Sequence, residues 1–265
     1  MQLFSKELGS GPPLVMLHGL FGSLDNWMGV APKFAQHARV FMLDLRNHGH
    51  SPHSEAMDYS LLAADVAEFL DAHQLDRVNL LGHSLGGKVA MRFALTWPAR
   101  VAKLIIVDMA PRPYSPEHTP IFKALMALDL KQYTSRREIE DALAPAIPDL
   151  TLRRFLLKNL KSPTAPKSDE GGSSSSSTYE WRIPLAAIFT NYPKLCEALT
   201  SPQPFNGPAL FLRGGKSPYV SDKDYPEIQK LFPAAKLETI PNANHWVHAD
   251  APEEFVRDVS EFLTG

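Results

Sequence analysis

The sequence has one cysteine, Cys196, in 265 residues. A single thiol closes no internal disulfide, so the chain is not a disulfide-stapled scaffold, and its composition fits a reducing compartment. Long hydrophobic runs are missing too. The apolar stretches are strand-sized, far short of the ~20 residues that cross a bilayer. Nor is there an excess of charge of one sign: 27 Lys and Arg face 29 Asp and Glu, for a formal net charge of −2. That balance disfavours nucleic acid or an anionic membrane as partner. The opening "MQLFSKELGSGPP" has neither the apolar core of a signal peptide nor an Arg- and Ser-rich transit pattern. The expected location is cytoplasmic, or mitochondrial if a presequence has been removed, and not secreted.

What is present is a repeated pairing of short apolar runs with helical periods. The runs "PLVMLHG" (13–19), "RVFMLDL" (39–45), "RVNLLGH" (77–83) and "KLIIVDM" (103–109) are rich in branched residues, and "ALFLRGG" (209–215) and "AKLETIP" (235–241) follow late in the chain. Lacking strict alternation and bounded by turn residues, they suit strands buried on both faces of a parallel sheet. Residues 59–75, 86–98 and 252–263 carry helical spacing, with Leu62, Val66, Phe69 and Leu70 on one face. Alternation of this kind predicts an α/β fold, a mostly parallel central sheet flanked by helices.

The alternation stops between 112 and 205. Helical segments are expected near 120–130, 136–144, 150–160 and 184–199, with no convincing strand. A helical block inserted before the last two strands reads as a cap over one end of the sheet. The expected division is a core of 1–111 and 206–265 with a cap of 112–205. Inside the cap, "KSPTAPKSDEGGSSSSSTYE" (161–180) is of low complexity and reads as a mobile loop.

Three motifs carry chemistry. Gly82-His83-Ser84-Leu85-Gly86 fits G-x-S-x-G directly after a strand and before a helix, a context that projects a serine Oγ above the sheet as a nucleophile. A glycine-flanked serine also occurs in ordinary βα turns; the flanking strand and helix favour the nucleophile. "LHGLFGS" (17–23) follows another buried strand. It would supply one of two N–H donors for an oxyanion, from Leu20, with Phe21 as second choice; Leu85, after the nucleophile, supplies the other. Third, His245 in "IPNANHWVHADAPEEF" (240–255) lies between the last strand and the last helix, where a base can reach the serine. His37, His53, His73 and His118 read as surface residues, His18 and His83 as parts of motif turns, and His248 as the start of the closing helix. "HGHSPH" (48–53) has no carboxylate or thiolate to complete a metal site.

With these motifs in place, the chain resembles the α/β-hydrolase superfamily, serine esterase and thioesterase branch. It is most similar to small bacterial acyl esterases and related mitochondrial α/β-hydrolase-domain proteins. The resemblance covers nearly the whole length and rests on "HGLFGSLDNW", "DLRNHGHSP", "GHSLGGKVAM", "GGKSPYVS" and "NHWVHAD". In the second of these, Asp44, Arg46 and Gly49 correspond to a structural turn. Serine at the nucleophile position argues against the dehalogenase and epoxide hydrolase branches, which use aspartate there.

The superfamily's usual acid follows the penultimate strand, in a pattern like G-x-x-D-P. Here that pattern reads Gly214-Gly215-Lys216-Ser217-Pro218, and a serine has no charge with which to stabilise an imidazolium. Asp222, Asp224 or a carboxylate elsewhere could serve. Asp222 and Asp224 read as a helix start. Asp108 ends "KLIIVD" at the rim where Ser84 and His245 should lie, and a carboxylate there is unexpected as packing. Asp108 is the favoured acid, and the resembled bacterial group also places its acid there.

The expected reaction is hydrolysis of a small-molecule ester or thioester of short to medium acyl chain through an acyl-enzyme, without metal or organic cofactor. Phe122, Leu125, Met126, Phe155, Leu156 and Phe189 are candidates for an acyl pocket or for packing within the cap. Lys123, Arg136, Arg137, Arg153 and Arg154 either meet an acyl-CoA phosphate or form a solvated face. The alternatives are an adaptor protein on a hydrolase fold, and a carbon–carbon bond hydrolase or perhydrolase using the same triad.

Overall fold

A computed structural model describes residues 1–163 and 178–265. The first part comprises β1 (Ser5–Leu8), β2 (Pro13–Leu17), α1 (Ala31–Phe34), β3 (Arg39–Leu43), α2 (Tyr59–Ala72), β4 (Val78–His83), α3 (Leu85–Thr96) and β5 (Val101–Val107). Then come α4 (Thr119–Ala127), α5 (Arg136–Leu143), α6 (Leu150–Leu156), the two-residue strands β6 (Leu160–Lys161) and β7 (Glu180–Trp181), and α7 (Leu185–Cys196). The chain closes with β8 (Ala209–Gly214), α8 (Tyr225–Leu231), β9 (Ala235–Ile240), α9 (Val247–Asp250) and α10 (Pro252–Thr264). Among the described residues no helix is long and apolar enough to cross a membrane.

Seven strands form one sheet in the order β1-β3-β2-β4-β5-β8-β9. It is parallel throughout except for β1, which runs antiparallel to β3. Successive side chains of a strand point to opposite faces, and here both faces are apolar. Val15, Leu17, Phe41, Leu80, Leu104 and Ile106 pack into one core; Leu14, Met16, Val40, Leu81, Ile105 and Val107 pack into the other. That two-sided burial is why these strands read as continuous apolar runs. Each such side chain contributes roughly 1.5–3 kcal/mol on leaving water.

Two features depart from the sequence reading. β1 is a strand although "SKEL" is half-exposed and charged; its strand character comes from pairing with the edge of β3. The block 112–205 does contain strands, since Leu160 pairs with Trp181 and Lys161 with Glu180. Two residues are too few to leave a periodic signal. The expected mobile loop 161–180 therefore has paired ends, while its centre, 164–177, lies outside the described residues.

The inserted helices are fastened over the C-terminal ends of the strands. Tyr59 Oη donates to the Leu195 carbonyl at 2.7 Å and Asn191 Nδ2 to the Glu55 carbonyl at 2.7 Å. Asn159 Nδ2 donates to the Phe21 carbonyl at 2.7 Å. Below them, the turn after β3 is rigid: Asp44 accepts from the Leu24 and His50 amides at 2.7 and 2.8 Å, and Arg46 forms a buried ion pair with Asp65 at 2.7 Å. These bonds place Asp44 and Arg46 in the architecture.

Candidate active site

Ser84 occupies the turn between β4 and α3 at φ 52° and ψ −117°. A non-glycine residue held there costs on the order of 1–3 kcal/mol, a cost the surroundings must offset. They can, because the turn is packed too tightly to relax. A Cβ at Gly82 would overlap the Gly86 carbonyl, and one at Gly86 would overlap the Leu17 carbonyl. The flanking glycines of the pentapeptide are thus required by close backbone approach.

Asp108, one residue past β5, also has a positive φ, 49°, a conformation that a short polar residue tolerates. Its backbone N–H donates to the Leu212 carbonyl at 2.9 Å, which keeps it in register with β8. The carboxylate is buried, and three donors satisfy it: the Gly214 N–H at 3.1 Å, the Ser217 hydroxyl, and His245 Nδ1 at 2.7 Å. Burial of a charge is tolerable only with such partners. Ser217 is therefore not merely the residue left where an acid usually stands. It donates a hydrogen bond to the acid on the neighbouring strand. Asp222 instead pairs with Arg213 at 2.8 Å and Asp224 with Arg112 at 2.8 Å. The carboxylate that pairs with His245 is that of Asp108.

His245 lies on the loop between β9 and α9, with its ring stacked on Tyr219 at 3.8 Å. The loop is held from below by His83, whose Nε2 bonds the His245 carbonyl at 2.8 Å. Burial pushes the His83 pKa well down, so the ring is neutral and Nε2 carries the donated proton. Ser84 and His245 border the same cavity, without a hydrogen bond between their side chains. Such bonds are often long in unliganded sites and tighten on substrate.

On the other side of Ser84, the N–H groups of Leu20 and Leu85 have no hydrogen-bond partner among the described residues. The N–H of Phe21 is spent, donating to His48 Nε2 at 3.2 Å. Of these two neighbouring N–H groups, that of Leu20 is the one without a partner among the described residues. The Leu20 loop is pinned to the start of α3 by the Gly86 N–H, which donates to the His18 carbonyl at 3.1 Å.

Two cavities flank Ser84, each of about 50 Å³. One is bordered by Leu85, Lys88, Met109, Tyr114, Tyr192 and Tyr219, the other by His245, Phe155, Trp246 and Asn26. His118, expected at the surface, borders both, and its Nδ1 bonds Tyr192 Oη at 2.8 Å. Of the six apolar residues considered for an acyl pocket, only Phe155 borders either cavity. Phe122, Leu125 and Leu156 are buried in the core and Met126 is exposed. Lys88 was legible in principle, four residues after Ser84 on one helix face; Tyr219 and His118 arrive from distant segments that no local spacing connects.

The buried histidines have a measurable consequence. Burial lowers His18 to about 4 and His48 and His248 to about 3, from an ordinary 6.5. Each binds its proton more readily unfolded than folded. The stability they contribute is complete above pH 6.5 and is lost as pH falls toward those folded values. The urea midpoint should change little around pH 7, below the range in which Lys88, lowered to about 8 by burial, loses its proton, and should fall steadily below about pH 6. A midpoint unchanged down to pH 5 would contradict this.

Known proteins share this fold. A family model described as the alpha/beta hydrolase fold matches residues 12–252. The chain belongs to that family. This α/β hydrolase is 38% identical over 264 residues to the sn-1-specific diacylglycerol lipase ABHD11 of Danio rerio, covering 96% of the chain and 79% of that relative. It is 33% identical to esterase YbfF of Escherichia coli (strain K12), covering 95% and 92%. A solved structure described as a marine microorganism esterase superposes with a TM-score of 0.92 at 40% identity, covering 98% of this chain and 99% of that one.

Proposed function

We infer that this α/β hydrolase cleaves carboxylic esters, and acyl thioesters, of short to medium acyl chain through an acyl-enzyme on Ser84. The observation that carries the reading is the 2.7 Å bond from His245 Nδ1 to Asp108. It leaves Nε2 as the free basic nitrogen of a ring that borders the Ser84 cavity. In the first half-reaction His245 Nε2 takes the Ser84 proton while Oγ bonds the carbonyl carbon. The Leu20 and Leu85 N–H groups hold the oxyanion, and the leaving alcohol or thiol departs with the proton from His245. Water then repeats the sequence on the acyl-enzyme and releases the acid.

The base also sorts the two cavities. His245 must reach the leaving group, so the leaving group belongs on the side of Phe155 and Trp246. The acyl group then belongs on the side of Met109 and Tyr114. The relatives named esterase and lipase support ester cleavage. The described parts of the inserted block serve as the cap: His118 borders both cavities, Tyr114 and Tyr192 one, and Leu152 and Phe155 the other.

A fluorophosphonate probe tests the nucleophile directly. One equivalent is expected to attach to the peptide containing Ser84 and to abolish hydrolysis of p-nitrophenyl acetate and butyrate and of short acyl-CoAs. An active protein that resists the probe, or labelling at another serine with loss of activity, overturns the assignment.

A further inference from the structure

Lys88 is fully buried, in α3, and borders the cavity assigned above to the acyl group. Its ammonium has three donors but one hydrogen-bond acceptor, the Glu197 carbonyl at 2.5 Å. The rings of Tyr59 and Tyr114 lie 5.5 and 5.0 Å from Nζ. No carboxylate of the described residues forms an ion pair with it. The neighbouring cation, Arg112, is already paired with Asp224 at 2.8 Å. A buried charge is normally matched by an opposite one in direct contact; here Cys196 and the Glu197 carboxylate act on the ammonium only from a distance, Glu117 borders the same cavity, and no direct ion pair forms at the cavity's edge. Burial lowers the lysine to about 8, consistent with an ammonium short of partners.

We propose that Lys88 recognises a carboxylate at the far end of the acyl group, so that the preferred substrates are half-esters of short dicarboxylic acids. This rests on the reading of Ser84 as nucleophile. Ser84 and Lys88 are four residues apart in sequence, and four helical residues rise about 6 Å. An acyl chain attached at Ser84 and running along α3 meets the ammonium after a few carbons. A carboxylate arriving there gains a charge-assisted hydrogen bond from a group desolvated in advance by the fold, so little is lost in organising the site. An apolar end in the same place leaves the ammonium unmatched. The contact with the Glu197 carbonyl is the competing explanation: Lys88 would then only tie the end of α7 to the core.

Three esters separate these roles: the monomethyl ester of glutaric acid, its isostere with an isopropyl end, and its analogue with a methyl ketone end. For the native enzyme kcat/KM for the carboxylate ester is expected to exceed that for the isopropyl isostere at least about tenfold, the strength of one charge-assisted bond. In Lys88→Met that ratio should fall below one, and in Lys88→Arg it should stay above the Lys88→Met value. A purely structural lysine would lower all three rates together and leave the ratio unchanged. A native ratio near one overturns the proposal before any variant is made, and so does a preference for the ketone over the carboxylate. If the isopropyl ester is cleaved in a Ser84-dependent way, the nucleophile reading stands whatever the ratio. If none of the three is cleaved, both readings fall.

Discussion

Ser84→Ala is expected to lower kcat for ester hydrolysis by about a million-fold, to the residual rate that oxyanion binding and positioning supply alone. The size follows from what is removed. Without Oγ there is no acyl-enzyme, and His245 can only assist direct attack by water. Leu20 and Leu85 still present their N–H groups, so substrate binding should persist and KM should change little. Folding should also persist, because alanine at φ 52° bears the same strain as serine. Ser84→Gly makes the strain visible: glycine accepts that conformation freely, and the variant should be more stable by about 1 kcal/mol in urea titrations while equally inactive. An alanine variant retaining a tenth of the native rate would refute an acyl-enzyme on Ser84.

The parts of this site that were legible in sequence are those written into one local segment. The nucleophile turn announces itself because a strand, two glycines and a helix must be contiguous for Ser84 to stand where it does. His245 was readable from its place between the last strand and the last helix. Asp108 stands out by a mismatch, a carboxylate ending a buried strand together with a serine in the usual acid position, and it is the carboxylate that bonds His245 Nδ1. The features with no local signal depend on tertiary meeting. Ser217 and Asp108 are 109 positions apart, and nothing local marks the serine as a donor to the acid. Tyr219 under His245, and His118 between the two cavities, are likewise products of packing. The apolar residues of the inserted helices are ambiguous for a related reason: helical spacing shows that a face is buried, not what it is buried against. Phe122 and Leu125 lie in the core, and the cavity beside Lys88 is bordered instead by tyrosines from distant segments together with Leu85 and Met109.

Asp108→Asn should cost about ten-thousand-fold in kcat, and the contrast with its neighbours decides what the carboxylate does. An asparagine of the same shape can turn its NH₂ toward His245, which forces Nδ1 to accept and puts the proton on Nε2. The ring then faces Ser84 as a donor, and the base is lost although every atom but one is in place. The same change removes the charge that stabilises the imidazolium formed as Ser84 attacks. Ser217→Ala deletes one donor to the carboxylate and leaves both charge and tautomer intact, so its cost should be nearer tenfold. Asp222→Asn and Asp224→Asn break ion pairs with Arg213 and Arg112 and should leave kcat nearly unchanged. A large loss in Asp222→Asn or Asp224→Asn with little loss in Asp108→Asn would return the acid to the loop after β8. The intermediate value for Ser217→Ala carries the further point: if it matched Asp108→Asn, tethering of the carboxylate rather than its charge would be the limiting factor, and the serine would be as necessary to the acid as the acid is to the histidine.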